Sequence, residues 1–169
     1  MDSTELRRIQ QPLKAEYREN AAAALVTLAA SSTLGDGVSC TVATGQALVR
    51  AGLHPATGGD GMLACSGDML LQALAACAGV TLSAVSTALG VPVNSGRIDV
   101  EGDLDFRGTL GVDRDAPVGF REIRVSFGLD TAASDDELAK VVALTERYCV
   151  VLQSLAGPVT VNATRLPTP

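Results

Sequence analysis

Tryptophan is absent from this 169-residue chain, aromatic residues make up 3% of it, and it holds one histidine. With so few aromatics there is no platform on which nucleic-acid bases could stack. Lysine and arginine total 13 against 19 aspartates and glutamates, a formal net charge of -6. No basic stripe is left to neutralise phosphates, so a nucleic-acid partner is not expected. A cleavable leader is not expected either. The first twenty residues mix Asp, Glu, Arg and Lys, and the apolar run 21–30 begins too late. Four cysteines without clustered spacing do not make a disulfide framework in a chain of this length. The expected compartment is the reducing cytoplasm, where a persisting thiol pair is more often redox-active than structural.

Charge is also missing, completely, between Asp68 and Arg97. Into that gap falls the longest apolar segment, residues 68–89, D-M-L-L-Q-A-L-A-A-C-A-G-V-T-L-S-A-V-S-T-A-L. Leu, Ala and Val cover almost every angle of its helical wheel, relieved by Gln72, Thr81, Ser83, Ser86 and Thr87. A helix apolar all round is buried in a core or in a bilayer. This one is long enough to span. Its flanks, however, carry no Lys/Arg cluster and no Trp or Tyr belt, and Gly90 with Pro92 is an ordinary helix stop. The segment reads as a core helix with a thiol, Cys77, midway along it. Covering such a helix on all sides asks for a second subunit, so a homodimer and no membrane partner are expected.

The rest of the chain supplies an α+β domain with antiparallel sheet, read as one unit over 1–169. Residues 4–19 place Leu6, Ile9, Leu13 and Tyr17 on one helical face, with Pro12 as a site where the axis could break. Runs 25–33 and 38–44 flank Gly35-Asp36-Gly37 and predict a hairpin. Residues 46–51 fit a strand or a helical turn. The stretch 52–67 is loop, with Ser66 placed to cap the long helix. Two long strands follow, one through Ile98, Val100, Leu104 and Phe106 with an irregularity near Gly102, the other alternating over 120–129. Ser134 and Glu137 form a capping box that opens a helix expected to run to Leu155, ended by Gly157-Pro158. Residues 159–166 make the last strand.

Cys77 and Cys149, the latter in E-R-Y-C-V-V-L-Q-S-L-A-G, thus lie on two helices separated by a strand pair. This arrangement resembles the OsmC/Ohr family of thiol peroxidases over about residues 25–166, with the first twenty residues as an added helical segment. The resemblance implies an intertwined homodimer that reduces organic hydroperoxides, with hydrogen peroxide as a further substrate, in defence against oxidative stress. It makes Cys77 the peroxidatic and Cys149 the resolving cysteine. A thiolate attacks the peroxide, becomes a sulfenic acid and condenses with the second thiol. An external dithiol or small thiol would then reduce the disulfide, without metal, flavin or haem. Two alternatives share the fold: a dimer that binds a small hydrophobic ligand, and a thiol redox sensor.

The chain departs from the family at three places. Members orient an activating arginine with a glutamate before the first cysteine helix; here Gly67 and Asp68 stand there, with Arg18 and Arg50 as candidate cations. Val150 follows Cys149 where members often have proline. Among the other reactive residues, Cys40 reads as core and Cys65 as a passive loop thiol with a resolving role as its alternative. His54, Cys40 and Cys65 lack metal-ligand spacing, and His54 lacks an orienting partner for Cys–His hydrolysis. Gly58-Gly59-Asp60-Gly61 has no Lys-Ser/Thr after it and is not a phosphate loop.

Overall fold

The computed structural model describes residues 3–35, 40–42, 51–155 and 159–165. Among the described residues the α-helices and strands follow in the order α1 (Ser3–Glu19), β1 (Leu25–Leu34), β2 (Cys40–Val42), α2 (Ser66–Leu89), β3 (Ser95–Asp105), α3 (Phe106–Thr109), β4 (Phe120–Asp130), α4 (Asp135–Tyr148), α5 (Val150–Ser154) and β5 (Val159–Arg165), with short 3-10 turns at Ala21–Ala24 and Pro55–Thr57. The strands form one sheet in the order β2-β1-β3-β4-β5. The architecture is α+β, as expected. Residues 36–39 of the predicted hairpin turn, the ambiguous run 46–50 and Gly157-Pro158 lie outside the described residues.

Alternation builds the sheet. In β3, Gly96, Ile98, Val100, Gly102 and Leu104 are buried; in β4, so are Ile123, Val125, Phe127 and Leu129. These side chains meet α2 across the core, where Leu71, Leu74, Ala75, Ala78 and Leu82 turn inward. The opposite sheet face is ionic: Arg124 pairs with Asp103, Glu101 and Glu122, and Arg97 with Asp99. The expected irregularity near Gly102 falls one step later, as a register shift between Asp103 and Leu104.

Four differences from the sequence expectations have physical causes. Pro12 does not break α1, which is continuous; the proline is exposed while Tyr17 is buried, so tertiary packing holds the helix through the missing hydrogen bond. Ser66 is the first residue of α2 rather than its cap, a position taken by Cys65 without a side-chain bond. β5 joins β4 in parallel, whereas the other neighbouring pairs run antiparallel. A parallel pair requires a crossover, and α4 with α5 supplies it. Lastly, the helix that opens at the Ser134–Glu137 capping box does not reach Leu155. It stops at Tyr148, Cys149 turns extended (φ -70°, ψ 103°), and α5 starts afresh at Val150.

The long helix α2 passes every length and composition test for a bilayer span, yet half of its apolar window is buried within the fold. It packs on β1, β2 and β3 and on α4 and α5. One stripe, with Met69, Leu70, Ala73, Val80 and Ala84, stays exposed.

Candidate redox site

The break at Cys149 shapes the site. An unbroken helix would satisfy its amides internally; a new helix start leaves its first N–H groups without partners in that helix. The chain compensates on the carbonyl side, where the Gln153 side chain donates to the Glu146 carbonyl at 2.9 Å, and Cys149 N–H still donates to Thr145 O at 2.9 Å. On the amide side, the N–H groups of Val151 and Val150 favour the charged form of Cys77.

Cys77 sits midway along α2, partly buried, and Cys149 is completely buried beside it. Both are free thiols, as is Cys65. Burial pushes the Cys77 thiol up. The Val151 N–H, the Cys149 thiol, the Thr81 hydroxyl and the Val150 N–H favour the thiolate and together outweigh burial, so Cys77 is held below the ordinary cysteine range. Thr81, one turn further along α2, has its Oγ1 4.0 Å from Cys77 Sγ. Cys149 moves the other way. Burial first, then donation of its S–H to the Cys77 thiolate and the negative charge there, push it up to about 11. Two thiols pushed apart in this way divide the labour: Cys77 is the more readily ionised of the two, and Cys149 the one that keeps its proton.

None of these strongest influences on Cys77 is a cation. Arg18 is exposed on α1, which packs on α3 and the Pro55–Thr57 turn, and Arg50 lies outside the described residues. Asp68 occupies the first turn of α2, nine residues before Cys77 and about 13 Å away along the axis. Cys65 ends the loop before α2, at the far end of the helix from Leu89, and the side chain of Cys40 is not among those described. His54 serves the loop: its Nδ1 accepts the Ala56 N–H at 3.0 Å and its ring stacks on Phe106 with centroids 5.1 Å apart. Among the described residues no group of three His, Cys, Asp or Glu is placed to hold a metal ion.

The sequence reading named both thiols but missed what acts on them. Thr81 counted only as polar relief on an apolar helix. The amides of Val150 and Val151 escaped notice because an unbroken helix was expected there; the signal was Val150 itself, which keeps an N–H that proline lacks.

The family model for OsmC-like protein matches residues 59–164, a span that includes both cysteines. The chain belongs to the OsmC-like family. Solved structures share this OsmC-like fold. An OsmC-like protein from Mycoplasma pneumoniae is 20% identical, with a TM-score of 0.59, over 85% of this chain and 96% of that one. From Legionella pneumophila, a protein described as an organic hydroperoxide resistance protein OsmC and predicted redox protein is 16% identical (TM-score 0.56), over 84% and 97% of the two chains. An OsmC-like protein of unknown function from Vibrio cholerae is 12% identical (TM-score 0.52), over 84% and 98%. No curated protein matches the sequence at a significant level.

Proposed function

We propose that this OsmC-like protein is a thiol-dependent hydroperoxide reductase working through Cys77 and Cys149. What carries the reading is the opposed pair of thiols on α2 and at the α4–α5 junction, one eased toward the thiolate by neutral donors and the other pushed up by burial. The Cys77 thiolate attacks the terminal oxygen of the peroxide, the O–O bond breaks, and the alkoxide leaves as an alcohol after taking a proton. Cys77 is then a sulfenic acid. With its charge gone, one cause of the high Cys149 value disappears. Cys149 sulfur attacks the sulfenic sulfur, a disulfide forms, and the hydroxyl departs as water with the Cys149 proton. An external dithiol returns both to thiols, and no metal, flavin or haem enters the cycle. The apolar residues around Cys77 favour organic hydroperoxides over hydrogen peroxide. The cytoplasm, which supplies dithiols, is the compartment this cycle requires.

The test treats the protein with one equivalent of cumene hydroperoxide and maps its disulfides by peptide mass spectrometry, comparing wild type with Cys77→Ser. A Cys77–Cys149 disulfide in wild type and its loss in the variant are expected, together with turnover when a dithiol is supplied. Disulfide without turnover would turn the reading to a redox sensor. Two free thiols and unconsumed peroxide would end it.

We also propose that the exposed stripe of α2 is covered by a second copy. Met69, Leu70 and Val80 are each exposed by more than a third on a helix that is otherwise core. Val80→Asp places a charge in that stripe and is expected to convert a dimer to a folded monomer in light scattering, with the far-ultraviolet spectrum unchanged. A wild-type protein that is already monomeric would refute this.

A further inference from the structure

We propose that the Thr81 hydroxyl serves both states of Cys77, donating to the thiolate before the peroxide is reduced and accepting from the sulfenic acid hydroxyl afterwards. This deepens the function proposed above and rests on it.

The placement comes from the helix. Thr81 lies four residues after Cys77 on α2, so the two side chains are neighbours one turn apart. Its Oγ1 stands 4.0 Å from Cys77 Sγ, within reach of a hydrogen bond to sulfur, in a partly buried setting. A hydroxyl inside a helix commonly donates back to the carbonyl three or four residues earlier. Thr145 does so to Val141 O at 2.8 Å, Ser154 to Val150 O at 2.8 Å, and Ser86 to Ser83 O at 3.1 Å. Thr81 instead turns to the sulfur, which among the described residues is the hydrogen-bond partner of its side chain.

Oxidation inverts what Cys77 asks of its neighbours. A thiolate needs donors, and the Val151 N–H, the Cys149 S–H, the Thr81 hydroxyl and the Val150 N–H supply them. A sulfenic acid brings a donor of its own and needs an acceptor. Amide N–H groups only donate, and the Cys149 sulfur is the nucleophile of the next step. A hydroxyl donates or accepts as its hydrogen rotates. Of these four groups, Thr81 is the one that can follow the change.

The steps balance with no proton lost or gained by Thr81. Cys77 sulfur bonds to the outer peroxide oxygen, which keeps its hydrogen, as the O–O bond breaks. The alkoxide takes its proton from water. The sulfenic hydroxyl then donates to Thr81 Oγ1, which fixes the direction of the S–O bond while Cys149 sulfur attacks. The S–S bond forms, the S–O bond breaks, and the hydroxyl leaves as water with the Cys149 proton. An S–O bond free to turn is poised for that attack only part of the time, so loss of the acceptor slows closure as well as the first step.

The experiment compares wild type with Thr81→Val, which keeps the β-branched shape without the hydroxyl, and with Thr81→Ser, which restores it. Two rates are read. One is alkylation of Cys77 by iodoacetamide across pH in the reduced protein. The other is closure of the Cys77–Cys149 disulfide in excess cumene hydroperoxide, followed by acid quenching and peptide mass spectrometry, with parallel samples containing dimedone to trap the sulfenic acid. Thr81→Val is expected to move the alkylation midpoint upward and to slow alkylation below it roughly three- to five-fold. Closure slows by a similar factor, with more dimedone on Cys77, and Thr81→Ser restores both rates. A wild-type rate for alkylation or for closure in Thr81→Val, or no restoration by Thr81→Ser, would overturn the inference while leaving the function intact. A wild-type protein that forms no Cys77–Cys149 disulfide would remove the proposed function, and this inference with it.

Discussion

Val150→Pro is expected to slow alkylation of Cys77 roughly two- to three-fold at pH values where the thiol is mostly protonated, and its reaction with peroxide by a similar factor, because the Val150 amide is the weakest of the groups that favour the thiolate. A net hydrogen bond is worth about 0.5–1.5 kcal/mol, and about 1.4 kcal/mol is ten-fold in the thiolate population, so the weakest donor of the set is worth a few-fold at most. The substitution removes one of the two amides that favour the Cys77 thiolate and little else. Val150 is the first residue of α5, where proline is well tolerated because that amide has no partner within the helix. Cys149 before it is already extended, as a residue preceding proline must be. The Val150 side chain is 71% exposed, so its loss costs little packing. Val150→Ala keeps the N–H and is the control. Measured as a pH profile of iodoacetamide reaction, the midpoint for Val150→Pro moves upward and that for Val150→Ala stays with wild type. Coincident profiles for all three would mean that the thiolate is held by something other than these amides.

Asp105→Ala is expected to lower the melting temperature by roughly 10 °C. The Asp105 carboxylate is 1% exposed at the end of β3 and accepts from Arg107 Nε at 3.0 Å, from Arg107 Nη2 at 2.6 Å and from the Arg107 backbone N–H at 3.1 Å. Removing one partner of a buried pair costs about 3–5 kcal/mol. Arg107 keeps Asp113 at 3.2 Å and some contact with solvent, which places the loss at the lower end. In a domain of this size each kcal/mol moves the melting temperature by about 2–4 °C. The acid limb should change with it. Asp105 is held below the ordinary carboxylate range by its Arg107 hydrogen bonds, and Asp103 is pulled down to about 2 by Arg124 and Thr27. Depressed carboxylates stabilise the fold above their unfolded value of about 4 and lose that contribution as pH falls through the folded value. Wild type therefore weakens from about pH 4 to about pH 2, and Asp105→Ala weakens less steeply there because part of the contribution is already gone. A melting temperature within a degree or two of wild type would show that the pair is not needed.

The features legible in the sequence are those whose signals are local. The charge-free gap marked α2, the alternation Ile123, Val125, Phe127, Leu129 marked β4, and Ser134 with Glu137 marked the start of α4. What was not legible depends on distant partners. Nothing in Y-C-V-V-L forbids a continuous helix; the break at Cys149 accompanies packing of α2 against both α4 and α5. Likewise, the parallel pairing of β5 follows from the crossover, not from its own residues. Asp105 ends a strand reading in which only the apolar neighbours carried weight. The two thiols were found by spacing and resemblance, whereas the groups that differentiate them are backbone amides, which no side-chain pattern reveals.

The contacts of α1 have a bearing on the order in which the chain assembles. Tyr17 donates its hydroxyl to the Ala56 carbonyl at 2.7 Å, Gln10 donates to the Thr57 carbonyl at 3.2 Å, and α1 also touches α3. The helix α1 thus has its binding partners 39 to 47 residues downstream, and further still in α3. Contacts of such separation form only after the loop-closure entropy between them has been spent. An isolated helix of 17 residues is marginal in water even without a proline inside it. On the ribosome, α1 therefore waits as a fluctuating segment until β3 and α3 have emerged. It is made before the elements it packs on and is among the last to lock.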